Sequence, residues 1–357
     1  MKFLRVIKPL VDSLIAGIIG LLGGAIIMAL WGYPPLAAYT ALFSSVFGDV
    51  YGVASTLARA TPLILTGLTF AIGVRGGVFN IGAEGQLYFG AMAAVAVSLV
   101  QLPPGLHLAL AMVAGMLAGA LWSLPAALLK ITRGVHEVIS TIMLNWIAFY
   151  LGMYLVVSFL GDPQRAEKSI SAAPTSRFPV LFRGTSLTYG FIASLIFALI
   201  VFIILWRTTI GFEVRVVGQN PDAAQYAGID ETSSVVTTFI LGGLAAGLAG
   251  TLQIVAHPPT YALYSDFSTL KDLGFDGIGV ALIGRNHPIG AIFAALFFAG
   301  LTVGARTMQI SAGVPLEMVK VIQGLIILAL AAPEIFNLLQ LLKGQLTAWL
   351  RKVRSTA

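Results

Sequence analysis

Apolar residues in this chain come in long, nearly unbroken runs, of which Leu187 to Trp206 is one. A membrane barrel strand would alternate apolar and polar positions over about ten residues. A membrane-crossing helix instead needs about twenty predominantly apolar residues in succession. The pattern therefore predicts an all-α polytopic membrane protein with about ten transmembrane helices. They fall over residues 11–31, 53–72, 86–100, 107–129, 137–160, 187–206, 234–256, 273–284, 288–305 and 316–332. The eighth is too short to cross as a simple helix.

Composition agrees with the pattern. Of 357 residues, 58% are hydrophobic and only 10% are charged, against roughly 25% charged in a soluble protein. An apolar solvent removes the shortage of surface charge. The net charge of +6 fits basic residues flanking spans on the cytoplasmic side. No basic patch interleaved with aromatics supports nucleic-acid binding. The absence of cysteine excludes disulfides and cysteine-held metals. His107, His136, His257 and His287 lack ligand spacing, so neither a metal site nor a catalytic residue is predicted. The first apolar run follows Lys2, Arg5 and Lys8 as a signal peptide's core would, but it is too long and lacks a small-x-small cleavage site. An uncleaved first span is expected.

With the N-terminus inside, the inner segments hold Lys2, Arg5, Lys8, Arg75, Lys130, Arg133, Arg207, Arg215, Arg285, Lys343, Arg351, Lys352 and Arg354. The outer loops hold only Arg165, Lys168, Arg177, Arg183, Lys271 and Arg306. This excess predicts that both termini are cytoplasmic. The outer connection 161–186 reads as an exposed loop. It divides one transmembrane domain, 1–357, into halves of roughly 1–160 and 187–357.

Two stretches interrupt the apolar pattern. "GVRGGVFNIGAEGQ" (73–86) holds five glycines, an arginine, an asparagine and a glutamate, and "LGFDGIGVALIGRNHPIG" (273–290) lies in the comparable place of the second half. Irregular backbone at membrane depth survives only against protein or a water-filled cavity. Paired Gly-broken segments in two halves point to a transport pathway between repeats, although plain cytoplasmic turns would read the same way. A carboxylate at bilayer centre costs on the order of 3 kcal/mol. At that depth Glu84 needs Arg75, a backbone amide or a solute as partner. Asn80 and Gln86 can both donate and accept, which suits a neutral polar solute. Glu137, Thr141 and Asn145 share one helical face, either a pathway stripe or a buried seam. Asp276 lies in the second broken segment. Arg59, Glu317 and Lys320 read as helix-end residues or satisfied interhelical contacts.

No Walker P-loop occurs, so uphill transport would draw on an ion gradient or a separate subunit. The inner loop 207–233 favours a subunit. Within it, "NPDAAQYAGI" predicts a short helix opened by Asn220-Pro221, lined by alanines and carrying Tyr226. Such a helix can dock into a groove on another protein. It lacks the broad apolar face and the basic residues of a helix lying on lipid.

The segments "GGVFNIGAEGQLYFGA" (76–91), "GVHEVISTIMLNWIA" (134–148), "RVVGQNPDAAQYAGI" (215–229) and "FDGIGVALIGRNHPIGA" (275–291) together resemble permease subunits of bacterial ABC importers. The nucleoside (guanosine-type) branch is the one they are most similar to, and it is related to ribose-type sugar and branched-chain amino-acid permeases. The resemblance runs in order over most of the chain. It implies two inverted halves with short broken helices. It also implies a second homologous permease in a heterodimer, a cytoplasmic ABC ATPase that binds ATP and Mg, and an extracellular substrate-binding lipoprotein. The permease would carry no cofactor of its own. Gln219, Asn220, Pro221, Ala224 and Tyr226 would match the coupling helix. Asn80, Glu84, Gln86, Glu137, Asn145 and Asp276 would flank the substrate pathway. A permease for a simple sugar or a branched-chain amino acid, or a stand-alone secondary transporter, is the alternative.

Overall fold

The computed structural model describes residues 2–330. Within them the chain forms twelve α-helices: α1 (Lys2–Leu30), α2 (Pro35–Phe47), α3 (Val50–Arg75), α4 (Ala83–Val97), α5 (Leu106–Arg133), α6 (Glu137–Leu155), α7 (Gly190–Arg207), α8 (Thr209–Gln219), α9 (Pro221–Tyr226), α10 (Glu231–Val255), α11 (Leu273–Ile283) and α12 (Pro288–Ala312). A helical segment also covers 317–330. Six helices are long and apolar enough to cross a membrane: α3, α5, α6 with the π-turn that follows it, α7, α10 and α12. Ile15–Leu30, α2 and α11 are shorter apolar helices. The end of the predicted tenth span and the basic residues Lys343, Arg351, Lys352 and Arg354 lie outside the described residues.

Two compact units result among the described residues, one of 2–40 with 308–330, the other of 41–307. In the smaller unit the Tyr39 hydroxyl donates to Leu21 O at 2.6 Å. Gly20 and Gly24 leave room there for Ile326 and Ile322.

The larger unit is built around α3 and α10. Within their most apolar stretches 78% and 72% of residues are buried, against 22–28% for α5, α6 and α7. The peripheral helices turn residues such as Leu117, Leu121, Trp146, Ile196 and Leu199 outward, as helices bathed in lipid do. Local signals set the helix ends. The Asp49 carboxylate accepts from Gly52 N–H at 2.6 Å to open α3. Asp230 spans Thr232 and Ser233 N–H to open α10. Gly134, at φ +64°, ends α5 in a left-handed turn.

Small residues bring α4, α5 and α10 into backbone contact. Gly90 faces Gly247, Gly119 lies against Gly243 and Gly247, and Gly250 touches the Leu87 carbonyl. Apolar side chains gain nothing by leaving lipid for one another, so close packing of small residues drives helix association in a membrane. Thr69 Oγ1 donates to Gly242 O at 3.0 Å and Ser123 Oγ to Phe239 O at 2.9 Å, tying α3 and α5 to α10. Along both pairs the numbers run in opposite directions, so α3 and α5 are each antiparallel to α10.

Two segments add to the sequence reading. Pro35–Phe47, between the first two predicted spans, is helical. The connection 161–186 is not simply exposed. After a two-stranded hairpin, β1 (Gly161–Asp162) with β2 (Arg165–Ser169), it is laced to 255–265. Ser169, Ala172 and Phe178 N–H donate to the carbonyls of Leu263, Tyr261 and Val255, and Ser265 N–H donates to Glu167 O. Ser169, Ala172 and Ser176 are buried in this clasp.

A Gly247→Val change places two methyl groups where only backbone fits. It is expected to cost about 1–3 kcal/mol, read as a lower thermal midpoint and less monodisperse protein. Gly17→Val, with open space around its Cβ, serves as the neutral control.

Candidate functional site

The glycine-broken stretch 76–82 separates α3 from α4 in the larger unit, with Gly76, Val78, Asn80 and Gly82 buried and Gly77 and Phe79 exposed. With 15 residues, α4 is about 22 Å long, and with 11 α11 is about 16 Å, so neither spans a core of about 30 Å. The two short helices meet at their N-termini and leave in opposite directions. The end of α4 reaches the start of α5, where Val97 O lies 3.1 Å from His107 Nε2. The end of α11 reaches the end of α3, where Arg75 Nε donates to Asn286 O at 2.9 Å and Nη2 to Arg285 O at 3.1 Å.

Glu84 sits at the junction, 4% exposed. Its Oε1 accepts from Asp272 N–H at 2.7 Å and from the Tyr88 hydroxyl at 2.8 Å, and its Oε2 accepts from Gly274 N–H at 2.6 Å. A helix N-terminus carries orphan N–H donors and a partial positive charge. Asp272, the residue before α11, makes no side-chain cap of its own. Glu84 supplies the missing acceptor from another helix. Of the partners a buried Glu84 could take, the structure selects backbone amides. Arg75, at the other end of the same loop, meets the carbonyl end of α11, where a cation is favoured. One loop thus grips both ends of α11 with charges opposed to its dipole.

The neutral polar residues hold the loop itself. Gln86 Nε2 donates to Asn80 Oδ1 at 3.1 Å, and Gly82 N–H donates to the same oxygen at 3.0 Å. Asn145 Oδ1 accepts from Gly85 N–H, and its Nδ2 donates to Ile81 O, both at 2.9 Å. Glu137 accepts from Phe79 N–H at 3.2 Å and from Lys130 Nζ at 2.8 Å. Thr141 borders Gly82. The face shared by Glu137, Thr141 and Asn145 therefore lies along the loop. Asp276, in the first turn of α11, is half-buried and within electrostatic reach of Arg59. The sequence reading missed Tyr88, whose ring packs at 4.3 Å centroid distance on Phe267, because an aromatic in an apolar run carries no mark of its hydroxyl's partner.

The inner connection holds α8 and α9. Asn220 Oδ1 accepts from Ala223 N–H at 3.0 Å, Pro221 takes the first helical position and Gly228, at φ +76°, follows the end. Ala224 is fully buried and anchors the helix, whereas Tyr226 projects from its last turn, 94% exposed. Gln219 closes α8 at the surface. No group of three His, Cys, Asp or Glu side chains placed to hold a metal occurs among the described residues.

Replacing Glu84 by Gln puts an amide donor against one of three converging donors. The expected loss is about 2–3 kcal/mol, against about 1 kcal/mol for Tyr88→Phe, which leaves both backbone bonds intact. Thermal unfolding of the purified variants measures both. Equal effects would show that the phenol, not the backbone capping, carries the junction.

Residues 52–331 match the family described as "Branched-chain amino acid transport system / permease component". The guanosine ABC transporter permease protein NupP of Bacillus subtilis is 40% identical over 91% of this chain and 94% of its own. The nucleoside ABC transporter permease protein NupB of Lactococcus lactis is 36% identical over 93% of each. The glucose ABC transporter permease protein TsgB13 of Haloferax volcanii is 33% identical over 88% and 85%. Bacillus subtilis has a second similar guanosine permease, NupQ, at 33% over 69% and 79%. Such permeases are transport components rather than enzymes, and they occur in pairs of related chains. With its half-length helices and lipid-facing periphery, this multi-pass membrane protein belongs to the permease-component family of branched-chain amino acid transport systems.

Proposed function

We propose that the chain is a permease subunit of an ATP-driven importer for nucleosides, working in the bacterial inner membrane. The observation that carries this is α9: a capped, stand-alone helix whose Ala224 is seated in the body and whose Tyr226 stands almost fully in solvent. Such a knob suits a groove on a cytoplasmic ATPase, which would bind the ATP and Mg. Gln219, Asn220, Pro221, Ala224 and Tyr226 transmit force by rigid docking. The face bearing α9 is then cytoplasmic, as are both termini. NupP beside NupQ supports a heterodimeric permease core, and the clasp 161–186 offers the outer face to a substrate-binding lipoprotein.

The substrate pathway runs beside the junction of α4 and α11. Asn80, Glu84, Gln86, Glu137 and Asn145 spend their hydrogen bonds within the protein, so they shape its wall. Asp276, half-buried in the first turn of α11, would border the same pathway. Nucleosides are favoured by the names of NupP and NupB, and TsgB13 favours a simple sugar as the second reading.

Tyr226→Asp, or deletion of 220–227, should cut uptake at least tenfold while membrane abundance is unchanged, measured in cells carrying the partner subunits. Normal uptake would remove the coupling role. Competition of that uptake by guanosine, and not by ribose, glucose or leucine, is the expected substrate result; inhibition by a sugar alone would transfer the chain to the second reading.

A further inference from the structure

Trp206 ends the apolar run of α7, beside Arg207, at the depth where aromatic belts meet headgroups. Three cationic or ionisable groups gather on its ring. The Arg75 and Arg215 guanidinium carbons lie 5.6 and 5.7 Å from its centroid, and the His287 ring lies at 4.6 Å. The carbonyl of Arg75 rests against Gly218, one turn beyond Arg215, so both arginines occupy one corner where α3, α7, α8 and the end of α11 meet. Burial and the Arg75 charge hold the His287 imidazole below its ordinary range.

The two arginines are only partly spent. Arg75 uses Nε and Nη2 on Asn286 O and Arg285 O. Arg215 uses Nε alone, on Leu205 O at 2.8 Å and Gly211 O at 3.3 Å. Neither has a carboxylate within 4.0 Å: the ion pairs among the described residues are Lys130–Glu137, His136–Glu137 and Lys168–Asp162. Arg75 Nη1 and both terminal nitrogens of Arg215 keep their donors, in a half-buried corner of like charge. Like charges on partly desolvated groups repel, and a ring quadrupole offsets about 0.5–2 kcal/mol per cation. What completes the corner is an anion whose oxygens accept several N–H donors at once, which is the chemistry of phosphate.

We infer that Arg75 and Arg215, flanking Trp206, bind the phosphate of an anionic phospholipid headgroup. A lipid is the favoured source because the corner closes a membrane-spanning helix, and basic pockets between spans at that depth take acidic headgroups. Since Arg75 also grips the carbonyl end of α11, the lipid tightens the half-helix junction from below. The site stands whichever solute the permease carries, since it uses none of the pathway or α9 residues.

The test uses the purified full-length chain in nanodiscs of phosphatidylcholine alone or with equal phosphatidylglycerol. Phosphatidylglycerol should raise the thermal midpoint of the wild type by about 3 °C or more. Arg215→Gln should lose most of that rise, and the exposed Arg183→Gln should keep it. Should Arg215→Gln prove unstable, His287→Asp serves. His287 Nδ1 caps Ile289 N–H, a role Asp fills well, and the new carboxylate occupies the corner, so the variant should fold and ignore phosphatidylglycerol. An equal rise in wild type and both variants overturns the site. A rise with inorganic phosphate in phosphatidylcholine, matching that with phosphatidylglycerol, overturns the lipid as its source.

Discussion

A carboxylate placed between the N-termini of two half-length helices is the constraint from which the rest of this architecture follows. An interrupted helix inside a membrane exposes backbone donors that lipid cannot satisfy. Two such ends facing one another add their partial positive charges. Glu84 answers both problems with one side chain: it belongs to the first turn of α4 and accepts from the amides that begin α11. Three converging donors offset part of its desolvation, so the carboxyl group and the broken helices support each other.

That arrangement dictates its surroundings. The irregular backbone of 76–82 needs partners, so Glu137, Asn80 and Asn145 engage the Phe79 amide, the Gly82 amide and the Ile81 carbonyl, and Gln86 steadies Asn80. The glycines of α4, α5 and α10 let these helices close up, so that Gly90, Gly119 and Gly247 meet backbone to backbone. The peripheral helices, free of this demand, carry large aliphatic residues on the outside.

Much of this was legible in the chain itself. The long runs announced α3, α5, α7 and α10 to within a few residues, because a bilayer leaves so little freedom in composition. Asn220-Pro221 announced α9 because its start uses side-chain chemistry. The glycine clusters at 73–86 and 273–290 announced that something breaks there. What they meet could not be read, since Glu84's partners are backbone amides 188 and 190 positions away and a peptide N–H carries no sequence signature. Arg75's partners are carbonyls, hidden for the same reason. A search for spans passes over α2 because its 13 residues are fewer than the twenty or so that cross a bilayer. The outer clasp read as an exposed loop because most of its bonds to 255–265 run through main-chain groups.

The grip of a single loop on both ends of α11 has a mechanical consequence. A rod held at its tips by charges from one strap has no independent hinge, and bending it would expose a carboxylate at one tip or a guanidinium at the other. Strap and rod travel as one piece. In the importer proposed above, the passage between outward and inward states would then tilt whole blocks of helices, with the broken segment as a stiff keel and not as a gate that melts and reforms.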